Sequence, residues 1–181
     1  MTRRVLATMG LLICAMLVGC GYRSNDLYPE NYRTVAVPIF ENLSFYRGVE
    51  FKLTEALVKE IEKRTPYKVT RSTSADTRLT GTITSIEQDL LSRQRDGNIP
   101  DEMQLTLTVN YEWQDLRTGR PILDRHGFSA VGRYIPSRVV GEPIQIAQYQ
   151  AVGAMARDIV SSMRSDLIVD SADAPAATDT K

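Results

Sequence analysis

Several things are scarce in this chain, and each scarcity removes a class of function. Of 181 residues, two are cysteine and one is histidine. Cys14 falls inside a short apolar run near the N-terminus, and only Cys20 follows it. No disulfide framework, cysteine metal site or paired thiol chemistry can be built from that. The lone His126 has no His-x-x-x-His partner and sits in a segment read as a strand, so it reads as structural rather than catalytic. There is no Gly-x-Gly-x-x-Gly, no Gly-x-x-x-x-Gly-Lys and no Gly-x-Ser-x-Gly. Acidic pairs such as Asp101-Glu102 lie at predicted strand ends, where charge faces water. The chain reads as a non-enzyme, with no catalytic residues, no metal site and no cofactor.

Net charge is absent too: 22 basic and 22 acidic side chains cancel. A general nucleic-acid binder would be strongly basic, so nucleic acid is not an expected partner. Lysine is missing from residues 70–180, while arginine is plentiful there. Two local pairs stand out, Arg93 with Arg95 and Arg117 with Arg120. The arginine fork binds phosphate bidentately, which lysine does not. Both pairs are candidate contacts for the phosphates of an anionic glycolipid. Consecutive antiparallel turns lie at opposite ends of a sheet, so they form two pairs and not one cluster.

Long apolar runs are also lacking. The longest, Val5 to Val18, is short of the roughly 20 residues a helix needs to cross a bilayer. Behind Arg3-Arg4 and ahead of Leu17-Val18-Gly19-Cys20 it has the layout of a secretory signal, residues 1–19. The Leu-Val-Gly-Cys end resembles the bacterial lipobox. That resemblance implies cleavage before Cys20, a diacylated Cys20 thiol and an acylated new amine. At about 0.8 kcal/mol per buried methylene, three chains anchor permanently. Gly21, in place of an Asp that resembles an inner-membrane retention signal, favours the outer membrane, with the domain on its periplasmic side.

The remainder reads as one unit. Residues 20–33 are expected to be a lipidated tether, 34–168 a single α+β domain and 169–181 a disordered tail of Ala, Asp, Thr and Pro. Thr34 to Phe40 is a β-branched strand, with Pro38 at an edge or near the strand's end. Val49, Leu53, Ala56, Leu57 and Ile61 recur at helical spacing until Pro66 ends the helix at Thr65. Tyr67 to Arg71 is a short strand. Leu79, Gly81 and Ile83 alternate with threonines, and the phase slips near Ser85-Ile86, a bulge signal. Met103, Leu105, Leu107, Val109, Tyr111 and Trp113 share one face of a long strand, with Glu102 to Glu112 on the other. Ile122 to Ile135 returns as another. Pro143 opens a second helix with a stripe of Val152, Met155, Ile159, Met163 and Leu167. The order predicts a two-layer sandwich, two amphipathic helices on one face of a mostly antiparallel sheet of four to five strands.

The lipobox with Gly-Cys-Gly-Tyr (Gly19 to Tyr22), Thr34-Val-Ala-Val-Pro-Ile-Phe-Glu-Asn42, Leu-Thr-Glu-Ala-Leu (Leu53 to Leu57) and three long strands before a closing helix resemble the lipopolysaccharide-assembly lipoprotein (LptE) family. The resemblance covers roughly Leu17 to Leu167. It implies two helices on a four-stranded sheet and no catalytic residues. It also implies a partner, an outer-membrane β-barrel translocon (LptD-like) that delivers lipopolysaccharide, with the lipoprotein plugged inside it. Ala36 to Ser44 followed by Leu-Thr-Glu-Ala-Leu also resembles lipoproteins of the curli-secretion (CsgG) type and the penicillin-binding-protein activators. Those would act in secretion or in cell-wall synthase regulation.

Overall fold

The computed structural model describes residues 27–93, 100–136, 143–164 and 168. The signal segment, Cys20, Arg95, Leu167 and the 169–181 tail lie outside them. Along the chain run β1 (Thr34–Ala36), β2 (Glu41–Asn42), α1 (Val49–Arg64), β3 (Lys68–Val69), β4 (Thr77–Arg93), β5 (Pro100–Asp115), β6 (Pro121–Tyr134) and α2 (Pro143–Ser162).

β5 sets the layers. Leu105, Leu107, Val109, Tyr111 and Trp113 are all buried. The residues between them are not, as a strand with one covered face requires. β4 pairs with β5 antiparallel from Thr77↔Asp115 to Arg93↔Pro100, and β6 lines its other side from Gln114↔Pro121 to Met103↔Tyr134. The expected slip in β4 is there: Ile83 pairs with Val109 but Ser85 with Thr108. The looped-out Thr84 donates its hydroxyl to the Thr108 carbonyl at 3.2 Å.

The sheet corrects the expectation of a mostly antiparallel one. It has six strands in the order β3-β1-β4-β5-β6, with β2 also on β4. It is mixed, because β1 pairs parallel with both β3 and β4, and β2 parallel with β4. The cause is α1, which carries the chain from β1 back to the start of the sheet. A strand, helix and strand joined this way run parallel. Only after β4 do hairpins make the pairing antiparallel.

The single strand expected over 34–40 is two pieces. Six residue steps from Val35 to Glu41 match five from Thr77 to Thr82, so one residue is looped out around Pro38. The detour puts the buried Phe40 ring on Gly81, where an added Cβ would lie 2.3 Å from a ring carbon.

α1 buries Val49, Leu53, Leu57 and Ile61. It ends where Thr65 turns extended and donates both its amide and its hydroxyl to the Ile61 carbonyl, at 3.0 and 2.7 Å. α2 buries Ala147, Ala151, Val152, Met155 and Ile159, and Met163 just past its end is buried with them. Its alanines allow near contact with β6: a Cβ on Gly132 would lie 2.0 Å from the Ala147 carbonyl oxygen. The Tyr111 hydroxyl shares a 2.8 Å hydrogen bond with Ser162 at the far end of the helix.

Leu107→Ala should cost about 2–5 kcal/mol in a urea melt and Thr106→Ala, on the uncovered face, far less. Gly132→Ala should cost about 1–3 kcal/mol although it adds a single methyl, since helix backbone must move to admit it. Equal losses at 106 and 107 would mean the faces are reversed.

Candidate functional site

Three surfaces compete for the functional role: the two ends of the long strands and the uncovered sheet face. At the end where β4 begins, two carboxylates are consumed internally. Asp76 accepts the amides of Arg33 and Thr34, each at 3.0 Å, and the Thr34 hydroxyl at 2.9 Å. In return the Asp76 amide donates to the Thr34 hydroxyl oxygen at 2.9 Å. The Arg33 amide above all, then the Thr34 hydroxyl, holds the Asp76 carboxyl below the ordinary aspartate value. Asp115, buried, accepts the Arg117 amide at 2.8 Å and the Tyr32 hydroxyl at 3.3 Å. The Arg117 amide chiefly lowers its carboxyl too. The Leu116 amide donates to the Asp76 carbonyl at 2.9 Å and links the two.

Above them lies an aromatic group. Trp113 meets Tyr32 and Tyr67, each at 5.9 Å between ring centres, and Tyr67 meets Tyr28 at the same distance. The Tyr67 hydroxyl donates to the Pro29 carbonyl at 3.2 Å, and burial pushes its phenol well above the ordinary tyrosine value. The last part of the segment expected to be a tether, from Leu27, is therefore packed against the domain. The indole N–H of Trp113 has no hydrogen-bond acceptor among the described residues.

Arg117 and Arg120 lie on the turn below this group, as expected. The Arg117 guanidinium sits 5.5 Å from the Tyr32 ring centre and its Nε 3.6 Å from Asp115. Its side chain is 59% exposed, and Arg120 is exposed. Gly119 takes a positive φ of 71° to close the turn. Arg93 closes β4 at the opposite end of the sheet, so the structure does not bring it to the 117–120 turn. Its partner Arg95 lies outside the described residues.

Near the Arg93 end, Tyr134 donates its hydroxyl to the Gln88 Oε1 at 2.7 Å, and the Gln88 amide donates to the Tyr46 hydroxyl. That chain fastens the 43–48 loop to β6. Leu43 and Phe45 in the loop after β2, Phe51 in the first turn of α1 and Ile135 just past β6 are exposed.

The uncovered face presents Thr80, Thr82, Thr106, Thr108, Asn110 and Glu112. His126 lies beside it, 73% exposed, with its Nε2 3.3 Å from Asp124. It is thus a surface residue of β6. Gly127, at φ 64°, forms a bulge whose amide donates to the Asn110 side chain at 2.8 Å. Among the described residues, no group of three or more His, Cys, Asp or Glu could hold a metal, and no helix is long and apolar enough to cross a membrane.

Sequence reasoning singled out the two arginine pairs as candidates and passed over Asp76, Arg33 and the tyrosines that converge on Trp113. Their partners are about 40 to 80 positions away, and no local spacing signals such pairs.

Fold and site define a two-layer α+β domain, two helices packed on one face of a mixed six-stranded sheet. A family model described as LptE, lipopolysaccharide-assembly, matches residues 32–168, and the chain belongs to that family. No curated protein matches it in sequence. Among solved structures, a Xanthomonas campestris protein shares the fold at 14% identity and a TM-score of 0.56, over 78% of this chain and 87% of that one. Lipoprotein B of Nitrosomonas europaea aligns at 14% identity and a TM-score of 0.47, over 80% and 92%. PelC of Paraburkholderia phytofirmans, a dodecamer, aligns at 14% and 0.46, over 76% and 93%.

Because the folded Asp76 carboxyl titrates low, its contribution to stability is present above about pH 5 and is lost as pH falls through the carboxylate range. Asp76→Asn should cost about 1–2 kcal/mol at pH 7 and progressively less as pH falls through the carboxylate range. Urea midpoints of the two proteins should therefore converge on acidification. A gap that stayed constant with pH would mean the charge on Asp76 plays no part.

Proposed function

We propose that this chain is an outer-membrane lipoprotein, anchored through Cys20 on the periplasmic side, that partners a β-barrel translocon in lipopolysaccharide assembly. The observation that carries the reading is the family match over 32–168, nearly the whole described domain. The uncovered face supports it. A domain lodged in a water-filled barrel needs an outer surface rich in hydroxyl and amide groups, and threonines with Asn110 supply one. The lipobox supports the anchor. Arg93 and Arg95 are the proposed contacts to lipid phosphate, with Arg117 and Arg120 as a second pair at the other end. No catalytic step is assigned to any residue.

Affinity capture of the lipidated protein from detergent-solubilised membranes should recover an outer-membrane barrel. Recovery of a cell-wall synthase or a secretion pore in its place would favour the second family resemblance. Cys20→Ala should abolish labelling by a fatty-acid probe. A charge-assisted hydrogen bond contributes about 1.5–3 kcal/mol, so Arg93→Ala with Arg95→Ala should weaken binding of purified lipopolysaccharide about a hundredfold. The double lysine variant should recover part of that, since the planar fork is lost. Unchanged binding by the double alanine variant would remove the site assignment.

A further inference from the structure

A cleft of about 690 Å³ opens between the strand that begins the domain and the start of β3. It is within the size range of small-molecule sites. Its walls include the tyrosines Tyr28 and Tyr32, together with Pro66. Its cations are Arg33 and Lys68: Lys68 is the register partner of Thr34, and its amide donates to the Arg33 carbonyl at 2.9 Å. Both are exposed, and neither has an ion-pair partner among the described residues. Asp76, whose carboxylate accepts the Arg33 backbone amide, has its charge directed at two amides and a hydroxyl. Asp115 is likewise taken by Arg117 and Tyr32. Glu30 is the one carboxylate lining the cleft. The result is a pocket with two uncommitted cations against one acid, walled by rings that have an apolar body and a polar tip. Such rings favour the boundary between lipid and water.

Position narrows the ligand. Leu27, where the described chain begins, is packed on the domain beside this cleft. Cys20 is seven residues earlier. Even fully extended, seven residues span only about 25 Å. If Cys20 is lipidated, the cleft is held within reach of the headgroup layer, where anionic phosphodiesters are concentrated. We infer that the cleft walled by Tyr28 and Tyr32, with Arg33 and Lys68 at its rim, binds the phosphodiester headgroup of an anionic membrane lipid beside the anchor. The membrane as source rests on the anchoring read at Cys20; the phosphate chemistry of the cleft does not.

Trp113, the single tryptophan of the chain, touches Tyr32 edge to face and so reports on the cleft. The test is a titration of the full chain, in a non-ionic detergent, with dihexanoyl phosphatidylglycerol, reading Trp113 fluorescence. A saturable response is expected. Dihexanoyl phosphatidylcholine and inorganic phosphate at the same concentrations should give none. Arg33→Gln with Lys68→Gln should weaken binding about tenfold or more while leaving the thermal midpoint and the circular dichroism unchanged. The Cys20→Ala chain should respond like the parent, which separates the cleft from the anchor. An equal response to the choline lipid would mean apolar uptake only and would overturn the proposal. So would undiminished binding by the double variant, or no response by the parent. A response to inorganic phosphate as tight as to the lipid would overturn the headgroup assignment. If Cys20→Ala still titrates but the parent carries no lipid, the anchoring reading fails and the cleft stands.

Discussion

A strand in the middle of a sheet has both edges occupied by neighbours, so only its two faces remain to be assigned. β5 assigns them without exception over ten residues: apolar side chains to one face, polar ones to the other. Everything else follows from having to cover the first face. β4 and β6 take its edges, α1 and α2 take its apolar side, and Trp113, Leu107 and Leu105 become the bottom of the core. A one-residue slip in this strand would exchange the faces and leave the helices nothing to pack on. The bulges at Thr84 and Gly127 absorb misfit in the neighbouring strands, so that β5 stays regular.

Helix-to-sheet distance is the second constraint, and it is met by small residues. Gly132 and Ala147 let α2 touch β6 backbone to backbone, while Gly81 gives up its side-chain volume to Phe40. Both contacts are made by removing atoms rather than adding them. Glycine in a strand interior weakens the strand by itself. Here the loss is offset by apolar contact, an aromatic ring on Gly81 and a helix on Gly132.

What was legible in the sequence was whatever has a period. The alternation of β5, the helical stripe from Val49 to Ile61, the Met155–Ile159–Met163 stripe and the phase slip before Ser85 all appear in the structure where the sequence placed them. β1, β2 and β3 have two or three residues each, too few to show a period, and their direction depends on the crossover through α1. Hence the sheet was read as mostly antiparallel when it is mixed. The contacts at Asp76 and Asp115 were illegible for a different reason. An aspartate in a polar loop looks the same in sequence whether it faces water or caps a strand 42 positions away. The arginine pairs at 93–95 and 117–120 could be located by composition, but the environment of Arg117 over Tyr32 could not.

The two ends of the long strands carry different chemistry, and the fold makes that difference unavoidable. The end where β4 starts gathers the chain entry, three tyrosines, Trp113, Arg117 and two saturated carboxylates. The opposite end carries the backbone of Arg93, with Ile135 exposed just past β6 and the Tyr46–Gln88–Tyr134 chain a few residues short of it, while Leu43 and Phe45 are exposed beside the middle of β4. If the first end is held near a membrane by its lipid, the second is carried away from it by the length of β4 and β5. The sixteen residues of β5 at about 3.3 Å each make that roughly 50 Å. Such a domain has an arginine- and tyrosine-lined end where the chain enters, a hydroxyl-rich flank along the uncovered face of the sheet, and the Arg93 end of β4 at the other extreme.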